Sequence, residues 1–243
     1  MEKLSAADIK WIKSLQDKQT RKIAQCYFVE GEKLLAEALA SASLDLMKVV
    51  TTMDDIEQQF NLTNVPIFRC SPVEMERISA LKTPTPILTV LKIRDSKPQL
   101  SGKILCLDHI QDPGNLGTII RIADWFGIEQ IVASEHTVDA YNPKTVQASM
   151  GSLFRVNIHY TNVIDFLSSC ASPIYGAMMD GESMATMNME ESAVLVIGNE
   201  GNGISKPVIE HLTHRISIPK IGKAESLNAA VATGILVSRW NRF

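Results

Sequence analysis

Three stretches of this sequence combine polar, charged and glycine residues in a way that ordinary structural segments do not. The first runs Asp108-His109-Ile110-Gln111-Asp112-Pro113-Gly114-Asn115-Leu116-Gly117-Thr118-Ile119-Ile120-Arg121. It follows an apolar strand-like run and leads into a helical one, so the turn sits at the carboxyl end of a strand, where open parallel sheets bind ligands. A loop capped by Asp112 or Asn115, with Gly117 for close packing, would explain most of it as structure alone. Arg121 does not fit that explanation, because an arginine flanked by Ile119, Ile120 and Ile122 requires an anionic partner.

The second stretch, Val194 to Ser205, opens from an apolar strand into a loop with glycines at Gly198, Gly201 and Gly203. Glycines allow backbone N–H groups to approach a ligand closely, and Glu200 between them places a carboxylate in the same loop. The spacing matches neither the GxxxxGK[ST] phosphate loop nor the GxGxxG dinucleotide fingerprint. The third stretch, Ile216 to Ala232, ends a strand at Pro219, crosses a polar loop and enters a small-residue-rich helix near Ser226. Ser226 can act as its N-cap. Leu227, Val231, Ile235 and Ser238 follow at helical spacing, and Gly234 permits close approach of another element. With Asn228, Ser226 is read as a site residue because its loop is expected beside the other two.

These segments need a frame of strands to hold them. From Lys103 onward the apolar runs Ile104–Asp108, Gln130–Ser134, Phe154–Ile158, Ile174–Met179, Val194–Gly198 and Arg215–Ile218 read as strands. Helical patterns separate most of them: Leu116–Phe126, Pro143–Met150, Val163–Cys170, Lys206–Leu212 and Ser226–Trp240. Continuous apolar strands alternating with helices predict a mostly parallel sheet covered on both faces. Residues 1–93 read as a smaller α/β unit, with strands at Tyr27–Val29, Met47–Thr51, Val65–Cys70 and Ile87–Ile93. Asp54 is positioned to cap one of its helices; Ser71, Pro72 and Glu74 make a capping box for another. The polar segment 94–103, with Pro98 and Gly102, is a linker by composition, and 104–243 form the second unit.

Composition excludes whole classes. The 243 residues are 45% hydrophobic and 21% charged, which rules out a disordered or collagen-like chain. Twenty-four basic against 27 acidic residues give a net charge of −3, so any nucleic-acid surface must be a local patch. One candidate patch is Lys10, Lys13, Lys18, Arg21 and Lys22 near the N-terminus, diluted by Asp8 and Asp17. Cys26, Cys70, Cys106 and Cys170 are far apart and form no metal-binding spacing, which is expected of reduced thiols in a cytoplasmic protein. No signal-peptide core or membrane-length apolar run is present. His109, His136, His159, His211 and His214 are scattered, and surface or satisfied roles are expected for them.

Taken together, DPGNLGTIIR, IGNEGNGIS and ISIPKIGKAESLNAAVATGIL resemble the three signature motifs of the SpoU (TrmH-type) RNA 2′-O-ribose methyltransferases of the SPOUT superfamily, in family order and spacing. The segment Lys144 to Val156 resembles the stretch between the first two motifs. The first unit resembles, more weakly, the L30e-like substrate-binding domain that often precedes such a domain. The resemblance implies an α/β fold with a C-terminal trefoil knot, an exception to the rule against threaded chains. It implies S-adenosylmethionine held by backbone groups around Ala177, Gly198, Ile218 and Leu227, and no metal. It also implies a homodimer with the last helix near its interface.

By motif match, Arg121 corresponds to the arginine at the reacting 2′-hydroxyl. Asn115 lies in the same site, Glu200 matches the glutamate of the second motif, and Ser226 and Asn228 match the serine and asparagine of the third. One departure is Ala229-Ala230, where relatives often carry a hydroxyl residue. A guanidinium keeps its proton below about pH 12, so Arg121 is expected to bind phosphate and ribose oxygens and to favour the alkoxide electrostatically. The implied substrate is structured RNA, ribosomal before transfer RNA. The alternatives are a transfer-RNA enzyme, a silent RNA-binding assembly factor, and a nucleotide-dependent oxidoreductase, the last disfavoured by the missing GxGxxG.

Overall fold

The computed structural model describes every residue except Ala42, Asp95 and Phe243; Asp95 falls in the 94–103 segment, so that part of the linker lies outside the described residues. Two compact units emerge, one of residues 1–95 with 141–154, the other of 96–140 with 155–243.

In the first unit the chain runs β1 (Glu2–Lys3), α1 (Ala6–Ser14), α2 (Lys18–Ala24), β2 (Cys26–Glu30), α3 (Glu32–Ala40), β3 (Leu46–Thr51), α4 (Ile56–Gln59), β4 (Ile67–Arg69), α5 (Pro72–Ile78) and β5 (Ile87–Lys92). Its five-stranded sheet has the order β1-β4-β3-β5-β2 and is mixed, with β5 antiparallel to both its neighbours. Residues of alternate sheet faces feed two apolar clusters: Phe28, Val50, Leu88 and Val90 pack with Ile12 and Leu15, while Val49 and Ile87 pack with Leu35 and Ile56. Ser71 and Glu74 form the expected capping box of α5. The helix after Asp54 is instead preceded by Asp55, without a side-chain cap, because Asp54 is drawn into an ion pair with Arg69.

The second unit begins with β6 (Lys103–Leu107), α6 (Pro113–Trp125) and β7 (Gln130–Ser134). There follow α7 (Pro143–Ser149), which packs against β2 and so belongs to the first unit, and a single 3-10 turn at Ser152–Phe154. The chain continues through β8 (Asn157–Thr161), α8 (Val163–Ser169), β9 (Ile174–Ser183), β10 (Ala193–Ile197), α9 (Lys206–Ile209), β11 (His214–Ser217) and α10 (Ala229–Trp240). All six strands pair in parallel, in the order β11-β9-β10-β6-β7-β8. The sequence placed a strand at Phe154–Ile158; the strand instead starts at Asn157, because Gly151 takes a left-handed backbone (φ 91°) and Phe154 closes the tight turn behind it. β10 (AVLVI) is wholly buried and lies between β9 and β6. The carboxyl ends of β6 and β10 are therefore adjacent, and the first two motif loops leave the sheet side by side.

Candidate active site

Each of the three loops is shaped by a local rule. Asp112 caps α6, its side chain accepting the Asn115 N–H at 2.7 Å, with Pro113 at the first helical position. Beyond β10 the loop folds on Asn199: its Oδ1 accepts from the N–H groups of Gly201 and Asn202, and its backbone bridges to Gly203. Gly198 admits no side chain there, since a Cβ would lie 2.3 Å from backbone atoms of Gly203 and Ile204. The third loop ends at Asn228. The Asn228 Oδ1 accepts from the N–H groups of Ala230 and Val231, so Asn228 and not Ser226 caps α10. The amide side chain, two residues before the first freed N–H, has the reach that a cap there needs; Ser226 lies outside the first turn.

The loops meet through side chains. Asn228 Nδ2 donates to Asn115 Oδ1 at 2.9 Å, and Asn115 Nδ2 donates to Glu200 Oε1 at 2.5 Å. One amide thus joins all three motifs, with its oxygen engaged by the third and its nitrogen by the second. The Asn199 amide adds a bond from the second loop to the His109 carbonyl at 2.9 Å. Asn115 and Glu200 are half-buried, and Asn228 is exposed at the rim.

Arg121 stands on the exposed side of α6, and among the described residues it has no hydrogen-bond or ion-pair partner. The anionic partner that its apolar flanks call for is not supplied among the described residues: Ile119 and Ile120 turn into the core while Arg121 points out. It is available to an external anion. Ser226 is exposed and makes no hydrogen bond among the described residues.

Of the residues expected around the cofactor, Ala177 lies half-buried on β9, Gly198 directly follows β10, Ile218 directly follows β11, and Leu227 is exposed beside Asn228. From Pro219 to Leu227 the backbone makes no hydrogen bond within the described residues, and a Cβ at Gly203 or Gly222 would meet open space. Exposed main-chain N–H and C=O groups of this kind suit a ligand with a polar base at one end and an amino-acid head at the other. The residues therefore fit S-adenosylmethionine. No group of three or more His, Cys, Asp or Glu able to hold a metal ion occurs among the described residues.

Residues 102–238 match the SpoU rRNA methylase family. The chain belongs to that family. Residues 6–89 match the MRM3-like substrate binding domain. The chain is 34% identical over 230 residues to the Bacillus subtilis protein named 23S rRNA (guanosine(2553)-2′-O)-methyltransferase RlmP, covering 93% of this chain and 92% of that one. Among solved SpoU-like structures, a TrmH-family protein from Porphyromonas gingivalis superposes with a TM-score of 0.90 at 37% identity, covering 98% of both chains. A Sinorhizobium meliloti rRNA methyltransferase with AdoMet bound superposes with a TM-score of 0.87 at 27% identity, covering 100% of this chain and 97% of that one.

The N-terminal patch needs one correction. Lys10, Lys13, Lys18 and Lys22 are exposed, but Arg21 is only 2% exposed and donates to the carbonyls of Leu15 and Gln16 at 2.8 and 2.9 Å. Those carbonyls lie just past the end of α1, where backbone acceptors are left open and a guanidinium satisfies two at once. Arg21 is a structural residue of the α1–α2 corner and not a phosphate contact.

Sequence reasoning also missed a pair. His109 and His136, twenty-seven positions apart and among the scattered histidines, stack with ring centroids 4.9 Å apart and 20° between planes. The adjacency of Asp108 and His109 at the end of an apolar strand was the available signal. The other histidines behave as expected: His159 is buried against the Ser96 carbonyl, and His214 stacks on Tyr175. The four cysteines are free; three are buried and Cys170 is half-buried. Among the described residues no helix is long and apolar enough to cross a membrane.

Proposed function

We infer that the chain transfers the methyl group of S-adenosylmethionine to a ribose 2′-hydroxyl in 23S ribosomal RNA. It is an RNA 2′-O-methyltransferase of the SpoU family, and S-adenosylmethionine is its cofactor, supplying an electrophilic methyl group when bound. The observation that carries the site assignment is the bonded array Asn228–Asn115–Glu200, which ties the three motif loops into one surface. In this reading Glu200 fixes Asn115, Asn115 and Asn228 orient the ribose, and Ser226 lines the loop beside them. Arg121, unpaired and exposed, receives the RNA phosphate and stabilises charge developing on the 2′-oxygen. Backbone groups around Ala177, Gly198, Ile218 and Leu227 hold the cofactor.

The N-terminal unit, 1–93, serves as the RNA-binding domain, with Lys10, Lys13, Lys18 and Lys22 as its phosphate contacts; segment 94–103 links it to the methyltransferase portion, 104–243. The trefoil knot is taken from the likeness to SpoU structures. A homodimer is supported by an unpartnered apolar face: Val231 and Ile235 lie four residues apart on α10 and Leu227 just ahead of its cap, all exposed, and Trp125 on the contacting helix α6 is 85% exposed. We place the protein in the cytoplasm, in keeping with its free thiols.

The test supplies labelled S-adenosylmethionine with unmodified ribosomal or transfer RNA and scores nuclease-resistant 2′-O-methyl dinucleotides. Label is expected in the 23S pool, abolished by Arg121→Ala with cofactor affinity held within a few-fold. Label confined to transfer RNA, or a large loss of cofactor binding in that variant, would contradict the substrate or the role of Arg121 respectively.

A further inference from the structure

The residues assigned so far leave the proton of the 2′-hydroxyl without an acceptor. Arg121 keeps its own proton at working pH, the amides of Asn115 and Asn228 are not bases, and Glu200 already has Oε1 engaged by Asn115 at 2.5 Å. His109 lies in the same group of loops. It sits in the turn that leads to Asn115, and its carbonyl accepts from Asn199, the neighbour of Glu200.

His109 is held from four directions. Its N–H donates to Ser134 Oγ at 3.0 Å, its carbonyl is bound by Asn199, its ring stacks on His136, and its Nδ1 lies 2.6 Å from Asp108 Oδ1. The backbone is left-handed there (φ 61°), a conformation unfavourable for a non-glycine residue that tends to persist where the site requires it. Asp108 is 1% exposed, and its other oxygen accepts the Ser205 N–H at 2.8 Å. A carboxylate facing Nδ1 accepts and cannot donate, so Nδ1 carries the hydrogen and Nε2 keeps a free lone pair. Among the described residues Nε2 has no partner, and the side chain is 41% exposed.

We propose that His109 Nε2 takes the proton of the ribose 2′-hydroxyl, with Asp108 fixing the ring tautomer and steadying the cation that forms. The proposal rests on the methyl-transfer reading above. In the step, the 2′-oxygen forms a bond to the methyl carbon while the methyl–sulfur bond breaks and its electron pair stays on sulfur. S-adenosylhomocysteine leaves, and the hydroxyl proton passes to Nε2 and then to solvent. The ionisable groups touching the ring are Asp108, whose charge favours the cation, and His136, whose protonation opposes it. Glu135 and Asp139 on the loop after β7, with Glu200 and Lys206 beyond β10, are the other charged groups on the elements packed against it.

The backbone supplies the test. A left-handed position is glycine's own, so His109→Gly keeps the turn and leaves a ring-sized gap. With S-adenosylmethionine and 23S RNA under single-turnover conditions, the variant is expected to lose about a hundredfold or more in rate, with cofactor affinity within threefold of the parent. Its rate should recover with added imidazole in proportion to the free-base form, and the acid limb of the parent's pH–rate profile should vanish in its absence. His109→Gln, which fills the gap without a base, should lose the same rate and not respond to imidazole. Parental rates in both variants, or a slow His109→Gly enzyme that keeps the acid limb and ignores imidazole, would overturn the proposal and point to Glu200. Failure of the parent itself to methylate either RNA pool would be a failure of the functional reading instead.

Discussion

Replacing Asn115 by aspartate changes one atom of the array and reverses the sign of its contact with Glu200. The Nδ2 donor, 2.5 Å from Glu200 Oε1, becomes a second carboxylate oxygen. Loss of a hydrogen bond to a charged group costs about 1.5–3 kcal/mol, a loss that Asn115→Ala shares. The aspartate variant adds repulsion between two charges about 4 Å apart, worth about 1 kcal/mol in water and about 4 kcal/mol at an effective dielectric of 20. Both residues are half-buried, so about 2 kcal/mol is expected between the variants at pH 8. The folded carboxylate pair binds a proton more readily than its separated partners do in the unfolded chain, so the penalty is complete at high pH and fades as pH falls towards the ordinary carboxylate range near 4. Urea unfolding of both variants at pH 8 and pH 5 measures this directly. Asn115→Asp should be the less stable at pH 8 and equal or exceed Asn115→Ala at pH 5. Equal stability at both values, or a gap that widens on acidification, would show that the two side chains do not meet.

Two further outcomes follow from local geometry. Gly198→Ala forces a Cβ to within 2.3 Å of the Gly203–Ile204 backbone; destabilisation of about 1–3 kcal/mol and weakened S-adenosylmethionine binding are expected, and an unchanged dissociation constant by calorimetry would remove this loop from the cofactor site. Burial pushes the Glu30 carboxyl above its usual 4.5, against the opposing bonds from Ser79 Oγ and the Ala80 N–H. A raised folded value means stability present at low pH and lost as pH rises, so Glu30→Gln should be more stable than the parent at pH 8, on the order of 1 kcal/mol, and lose that advantage near pH 4; a constant difference across the range would contradict it.

Much of the second unit is legible because its signals are local. Apolar runs such as Ala193–Ile197 are strands wherever they are buried, and Asp112-Pro113 starts a helix through its own side chain and ring. The errors share a physical cause. Lys18, Arg21 and Lys22 read as one charged face, yet α2 turns Arg21 inward because the end of α1 leaves carbonyls open beside it. Leu227, Val231 and Ile235 have the spacing of a buried stripe, and the fold leaves them exposed. Helix α7 follows β7 in sequence but packs against β2 in the first unit. Periodicity states which residues share a face and is silent on what that face meets.

The sequence by itself determined the family, the residue types at the strand ends, and local features such as the Asp112 cap and the glycines of the second loop, because those depend on interactions within a few positions. Only the tertiary structure decided the neighbours. Asn115 meets Glu200 across 85 positions and Asn228 across 113, and His109 meets His136 because β6 and β7 are adjacent. Contacts of that span are set by the order in which strands pair and helices cover them, and no short stretch of chain carries that order.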